Sequence, residues 1–245
     1  MQPYAADPSL KGKLRRRYAR LTHRRPARLT LDRPVVSFTF DDVPQSAVHE
    51  GAPVLETEGV RGTWYLCAGL FGRDGHMGRF ADADDVRRLV SAGHEIACHT
   101  RDHIDCHRAD DARLLADVDA NATTLRALGG TALHFAFPYG EVGPGAKRLL
   151  GPHYGSLRGV HAGLVHDGGD RNQLPAVGVE GDDGQVRARA WIDRAVAERA
   201  WLILFTHDVR SRPSAWGCTP ETLRDLARYA KACGCDIRTV GEVLT

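Results

Sequence analysis

Short apolar runs alternate with amphipathic stretches along most of this chain, and each run stops at a polar or glycine-bearing turn. Residues 34–39 (PVVSFT) are β-branched and aromatic and predict a strand that stops at Asp41-Asp42. Residues 46–58 predict a helix with Ala47, Val48, Pro53, Val54 and Leu55 towards one side and Gly59 as its stop. A second strand is expected at 62–68, then a helix at 82–92 with Val86, Leu89 and Val90 inward, then a third strand at 94–98. Residues 110–128 form a long amphipathic pattern closed by Gly129-Gly130, with a strand at 133–137. Weaker strand signals lie at 155–160 and 174–179. Helical patterns at 186–199 and 220–232 flank the wholly apolar WLILFT run at 201–206, and a strand at 236–240 closes the series.

Such an alternation implies an α/β fold with a buried parallel sheet, and seven or eight strands favour a barrel over an open sheet. In these folds the chemistry gathers at the C-terminal ends of the strands. The residues that end the apolar runs are therefore informative. They are Asp41 and Asp42, His99 with His103, the turn Pro138-Tyr139-Gly140, and His207 with Asp208.

The spacing His99-x-x-x-His103 predicts two imidazoles one helical turn apart, on one side of a metal ion. A carboxylate from another strand, Asp42, completes three protein ligands and leaves a further position open for water, the catalytic rather than the structural pattern. Neighbouring side chains on an extended chain point apart, so Asp41 is expected to act as a base towards water rather than as a ligand. His207, with an ordinary pKa near 6.5, suits a general acid for the leaving group, and the Tyr139 N–H suits an oxyanion donor.

Together these strings, TFDD (39–42), HTRDH (99–103), FAFPYG (135–140) and ILFTHD (203–208), resemble the polysaccharide deacetylases, carbohydrate esterase family 4. The resemblance covers residues 34–245 as a catalytic domain and leaves 1–33 as a basic N-terminal arm. It implies a distorted, incomplete (β/α)7-type barrel holding one divalent metal, Zn2+ above others, on Asp42, His99 and His103. It also implies Asp41 as base, His207 as acid, Tyr139 on the oxyanion, Pro138 and Phe205 at the substrate, and Thr100 bracing the ligand loop. Two departures stand out. Ala136 occupies the position where many relatives carry an arginine that tethers the base, and no clear motif orients His207. LPAVGVE (174–180) is the nearest stretch to that motif, and Arg158, Arg210 and Glu180 are the substitutes available. FTFDDVPQSA and HDVRSRPSAWGCTPETL further resemble the cytoplasmic exopolysaccharide and holdfast deacetylases.

Charge alters one part of the picture. The net charge is +2, yet residues 1–33 carry +8 and the remainder −6. A basic arm on an acidic body admits peripheral contact with anionic lipid. Beyond Tyr18 it has no interleaved aromatics, so no nucleic-acid partner is expected. No apolar run approaches a bilayer span, no signal-peptide core follows the N-terminal charge, and the six cysteines form no C-x-x-C pair. The expectation is a cytoplasmic protein with reduced, mostly buried thiols, a glycan substrate and an open oligomeric state, a homodimer included. Serine-hydrolase elbows, phosphate loops and dinucleotide fingerprints are absent. The competing readings are a same-fold hydrolase of small amides or cyclic imides, and a non-catalytic glycan-binding relative; the intact Asp41, Asp42, His99, His103 and His207 argue against the second.

Overall fold

A computed structural model describes residues 9–245, so residues 1–8 of the basic arm lie outside the described residues. Helix α1 (Leu10–Leu21) opens at Ser9, whose hydroxyl accepts the Gly12 N–H. The alternation predicted by the apolar runs follows. Strand β1 (Val35–Asp41) leads through a π-helical turn (Ala47–Gly51) into α2 (Ala52–Thr57). After β2 (Thr63–Leu66) comes a small hairpin, β3 (Asp74–Gly75) and β4 (Gly78–Arg79), which the sequence pattern does not announce. Then follow α3 (Ala83–Ser91), β5 (Glu95–Cys98), α4 (Asp111–Ala127) and β6 (His134–Ala136). Helix α5 (Pro144–Leu150), β7 (Ser156–Arg158), β8 (Val177–Gly178), α6 (Gly184–Glu198), β9 (Trp201–Thr206), α7 (Pro220–Ala232), β10 (Asp236–Ile237) and α8 (Val240–Leu244) complete the described chain.

The main sheet runs β7-β6-β5-β2-β1-β9-β8 with every neighbour parallel, and β10 pairs with the start of β1. It curls into a half-barrel with helices around it, a distorted and incomplete (β/α)7 barrel. The edge strand β7 meets the segment that leads into β8 at one bridge, Arg158 to Leu174, so the curl all but closes there. Every residue of β1 and β9 is buried; β9 is accordingly apolar from Trp201 to Phe205, while β1 alternates apolar residues with Ser37 and Thr39, whose hydroxyls donate to the Arg238 and Leu204 carbonyls. Phe40 and Trp64 stack between adjacent strands with ring centroids 3.9 Å apart, in a core that extends to α2, α6 and α7.

Local signals set most boundaries. Asp82 caps α3 in a reciprocal box with Asp85, and Thr219 caps α7 ahead of Pro220. At the C-terminus the strand expected over 236–240 is only two residues long. Thr239 and Glu242 form a second capping box that starts α8 at Val240, so the capping chemistry overrides the β-branched pair.

The described part of the basic segment packs on the domain. Ala19 and Ala27 are buried, and the Arg25 guanidinium donates to the Gly155 carbonyl at 2.9 Å. Lys147 on α5 is fully buried. Its ammonium donates to the Ala19 carbonyl (2.7 Å), Asp170 Oδ2 (2.5 Å) and Gln173 Oε1 (3.3 Å), tying α1 and the 170–173 loop to α5. Burial pushes this amine's pKa down while Asp170 pulls it back up. Lys147→Met would remove the cation paired with Asp170, leaving that carboxylate only the Arg25 and Asn172 backbone N–H groups, and a urea denaturation series should show a loss of about 3–5 kcal/mol.

Candidate active site

The polar residues that end the strands converge on one rim. Asp41 is the last residue of β1, His99 follows β5, Tyr139 follows β6, Arg158 ends β7 and His207 follows β9. The backbone here is strained. Eight described non-glycine residues have positive φ, and Asp42 (57°), Val43 (54°), Thr100 (62°), His103 (50°) and Tyr139 (59°) are five of them. Each such residue costs on the order of 1–3 kcal/mol and persists only where its surroundings over-determine it.

That strain corrects the expectation for the histidine pair. His99 and His103 do not sit a helical turn apart; they lie on an irregular loop with left-handed residues at Thr100 and His103. Thr100 Oγ1 accepts the Ile104 N–H at 3.2 Å, and Asp117 accepts the N–H groups of Arg101 and Asp102 at 2.5 and 3.3 Å. The loop folds back on itself, so the two rings come within 5.2 Å, centroid to centroid, without a helix.

Asp42 Oδ1 lies 3.1 Å from His103 Nε2 and 3.5 Å from His99 Nε2. Among the described residues, these three form one cluster of metal-ligand type, and all three are buried. The Ala136 carbonyl can only accept, so His99 Nδ1 carries the proton (2.9 Å) and the Nε2 lone pair faces Asp42. Burial holds His99 down to about 4 and His103 down to about 2, so both imidazoles are neutral donors. Burial, with the Asp41 charge beside it, pushes Asp42 up to about 8. Its buried Oδ1 has no hydrogen-bond partner. A carboxylate oxygen without a hydrogen-bond partner, facing the Nε2 atoms of two neutral imidazoles, is the environment a divalent cation completes, so the residues present fit a metal with three protein ligands.

Asp41 is held differently. Nη2 of Arg158, fully buried, donates to both of its carboxylate oxygens at 2.5 and 2.6 Å. Burial alone would raise the Asp41 pKa; Arg158, with His99 and His207, holds it below the usual carboxylate range. The guanidinium also lies over the rings of Tyr65 and Phe205, at 4.8 and 5.5 Å. In the sheet register Arg158 pairs with Ala136, so the tethering cation stands one strand over from the position where many relatives carry it. The other two substitutes serve elsewhere. Arg210 pairs with Asp208 at 2.8 Å, and Glu180 turns into the cleft, where burial raises its pKa to about 7 and Oε2 has no partner.

His207 Nδ1 donates to the Trp216 carbonyl at 3.2 Å, which leaves Nε2 for the cleft. Burial lowers its pKa while the nearby Asp41 raises it. The supporting loop is organised by Asp208, which accepts the Ser214 N–H (2.8 Å) and hydroxyl (2.5 Å). Gly217 is required there, since a Cβ would come within 2.3 Å of the Asp208 carbonyl. A backbone carbonyl thus orients His207, for which the sequence offers no clear motif.

The cleft of about 190 Å³ is lined by Asp41, Asp42, His99, His103, Tyr139, Phe205 and His207, with Phe137 and Val160 as apolar wall. Pro138 is buried beneath the turn and does not line the cleft. Sequence reasoning missed His76 and Met77 on the β3–β4 hairpin and Trp216 beyond β9, which form the opposite wall; the His76 and Trp216 rings meet edge-on at 4.9 Å. The hairpin strands are two residues each, too short to leave a period in the sequence.

The fold and its rim place the chain among incomplete (β/α) barrels with a metal-type centre at the C-terminal ends of the strands. Within that class the polysaccharide deacetylase family model matches residues 28–150, half of the chain, and the protein belongs to that family, carbohydrate esterase family 4. A bifunctional xylanase/deacetylase of Pseudobutyrivibrio xylanivorans is 27% identical over 109 residues, which is 44% of this chain; the match spans 17% of that relative's length. Among solved structures, the chitin deacetylase of Colletotrichum lindemuthianum superposes with a TM-score of 0.63 at 18% identity, covering 88% of this chain and 90% of that one. The Xyl-CE4 domain of a xylanase from the hindgut metagenome of Trinervitermes trinervoides gives 0.63 at 18%, covering 86% and 90%. A CE4-family pseudoenzyme from Bacillus anthracis gives 0.60 at 12%, covering 88% and 67%.

Removing the tether should be visible in a pH profile. As the expected proton acceptor Asp41 has to be ionised, and Arg158 holds its pKa down, so Arg158→Ala should move the acid limb of kcat to higher pH and lower kcat by about 10–100-fold. Ala136→Arg added to that variant should return the limb towards its original position.

Proposed function

We propose that this protein is a metal-dependent deacetylase that removes N-acetyl groups from N-acetylhexosamine units of a bacterial polysaccharide or its lipid-linked precursor. The observation that carries the reading is the pairing of two differently held aspartates. Asp42 faces two neutral imidazoles, while Asp41, beside it, is kept anionic by Arg158. Residues 34–245 form the catalytic domain of this proposal.

The bound cation, Zn2+ in this reading, would be held by Asp42, His99 and His103 and would supply Lewis acidity that polarises the acetamide carbonyl. Asp41 accepts the proton of the attacking water, and Arg158 keeps its carboxylate charged and aimed. The Tyr139 N–H, presented by a left-handed residue, donates to the oxygen that gains charge. His207, with Nδ1 fixed on Trp216, passes a proton from Nε2 to the departing amine. Phe205, Phe137 and Val160 exclude water around the acetyl methyl.

A cytoplasmic setting is supported by the cysteines, all six unpaired and five of them buried. No described helix is long and apolar enough to cross a membrane. Peripheral contact with a membrane carrying a lipid-linked glycan is the role that suits the cationic segment.

Acetate release from N-acetylglucosamine oligomers, set against ring opening of cyclic imides, tests the substrate class. Asp41→Asn should lower kcat by at least about 10³-fold while metal content stays near one per chain, and Asp42→Asn should lose the metal itself. Metal loss in the Asp41 variant would make Asp41 a ligand, and absence of acetate release from the loaded protein would place it with the pseudoenzymes.

A further inference from the structure

Helix α1 is docked the opposite way round from an ordinary surface helix. Its inner side is small and polar: Gly12 and Ala19 are buried against the domain, Arg15 pairs with Glu141, and the Ala19 carbonyl accepts from Lys147. The outer side carries Leu10, Leu14, Tyr18 and Leu21, exposed by 74%, 58%, 59% and 67%. Their spacing of four, four and three residues places them in one stripe along the helix. Four of the seven large apolar side chains exposed among the described residues lie on this one helix.

Cations border the stripe. Lys13, Arg17 and Arg20 lie on α1 and Arg24 and Arg28 just beyond it; all are exposed, and none pairs with a carboxylate among the described residues. Helix α1 contains no acidic residue. An apolar stripe edged by unpaired cations is the pattern of a helix that lies in the plane of a membrane interface. At 12 residues it is about 18 Å long, too short to span a bilayer. Self-association through this face would set the cations of one copy against those of the other, since a two-fold contact pairs each surface with itself.

We infer that α1 is an interfacial docking helix: Leu10, Leu14, Tyr18 and Leu21 enter the headgroup region of an anionic lipid surface, and the flanking Lys and Arg side chains bind its phosphates. Arg15 on the inner side reaches Glu141, two residues beyond Tyr139 of the cleft, so docking brings the cleft beside the headgroups. There it would meet a glycan attached to lipid or held at the surface. This last statement rests on the proposed deacetylase function; the docking itself does not.

Co-sedimentation of the full chain with phosphatidylcholine vesicles, with and without about one part in three of phosphatidylglycerol, is the test. The protein should partition onto the anionic vesicles at least about 10-fold better than onto the neutral ones, and salt should release it. Arg17→Gln/Arg20→Gln should cut that partitioning by about 25-fold, at about fivefold per cation. Leu14→Gln/Leu21→Gln, at positions whose exposure spares the fold, should lower it by at least about 10-fold and leave acetate release from soluble oligomers unchanged. Failure of the wild type to sediment, or equal sedimentation of the leucine variant, would overturn the docking. So would a dimer in light scattering that the leucine variant dissociates, since the stripe would then join two copies. Vesicle binding without any acetate release would instead leave the docking intact and remove the deacetylase reading.

Discussion

The contact between Arg158 and Asp41 is the interaction on which the rim depends. Along the sheet β7 lies four strands from β1, and at about 4.8 Å per strand a flat sheet would hold them about 19 Å apart, beyond the reach of an arginine. Nη2 nevertheless sits 2.5 Å from Asp41. The pair can form only because the sheet curls, and the curl is the same one that sets His99 opposite Asp42. A buried cation and a buried anion, each costly alone, are tolerable here because the geometry is close and the guanidinium also lies over two aromatic faces. Such pairs add little net stability over an apolar replacement. This one holds a carboxylate charged in a place where burial would otherwise neutralise it.

The two aspartates show how one chain position apart becomes a chemical distinction. Asp41 ends the strand with its backbone extended, while Asp42 turns into the left-handed region and swings its carboxylate onto the imidazoles. Burial presses on both. Asp41 is answered by a protein cation and stays ionised, whereas Asp42 has two neutral rings and an oxygen with no partner. That contrast makes the second carboxylate the one suited to an added cation.

Backbone carbonyls, rather than side chains, orient two of the histidines. The Ala136 carbonyl fixes the tautomer of His99, and the Trp216 carbonyl orients His207. Position 136 thus remains part of the site without a functional side chain. Its methyl packs with Tyr65 and Ala97 in a small cluster of its own, and Arg158 lies over the Tyr65 ring.

By itself the sequence determined the order of the main-sheet strands and most helices and, through the polar residues that end each apolar run, the acids and imidazoles of the metal-type centre and its neighbours Asp41 and His207. Both follow from local rules: buried strands are rich in apolar and β-branched residues, capping residues start helices and glycines stop them. Only the tertiary structure decided which groups meet. Arg158 reads as one of three candidate substitutes, beside Arg210 and Glu180, until the curl carries β7 across to β1. The His99–His103 spacing suggests a helix until the loop around Thr100 and Asp117 bends it. The far wall of His76, Met77 and Trp216 comes from segments with no periodicity to read. Contacts between distant strands depend on sheet curvature, a property of the whole assembled sheet that no local stretch of chain encodes.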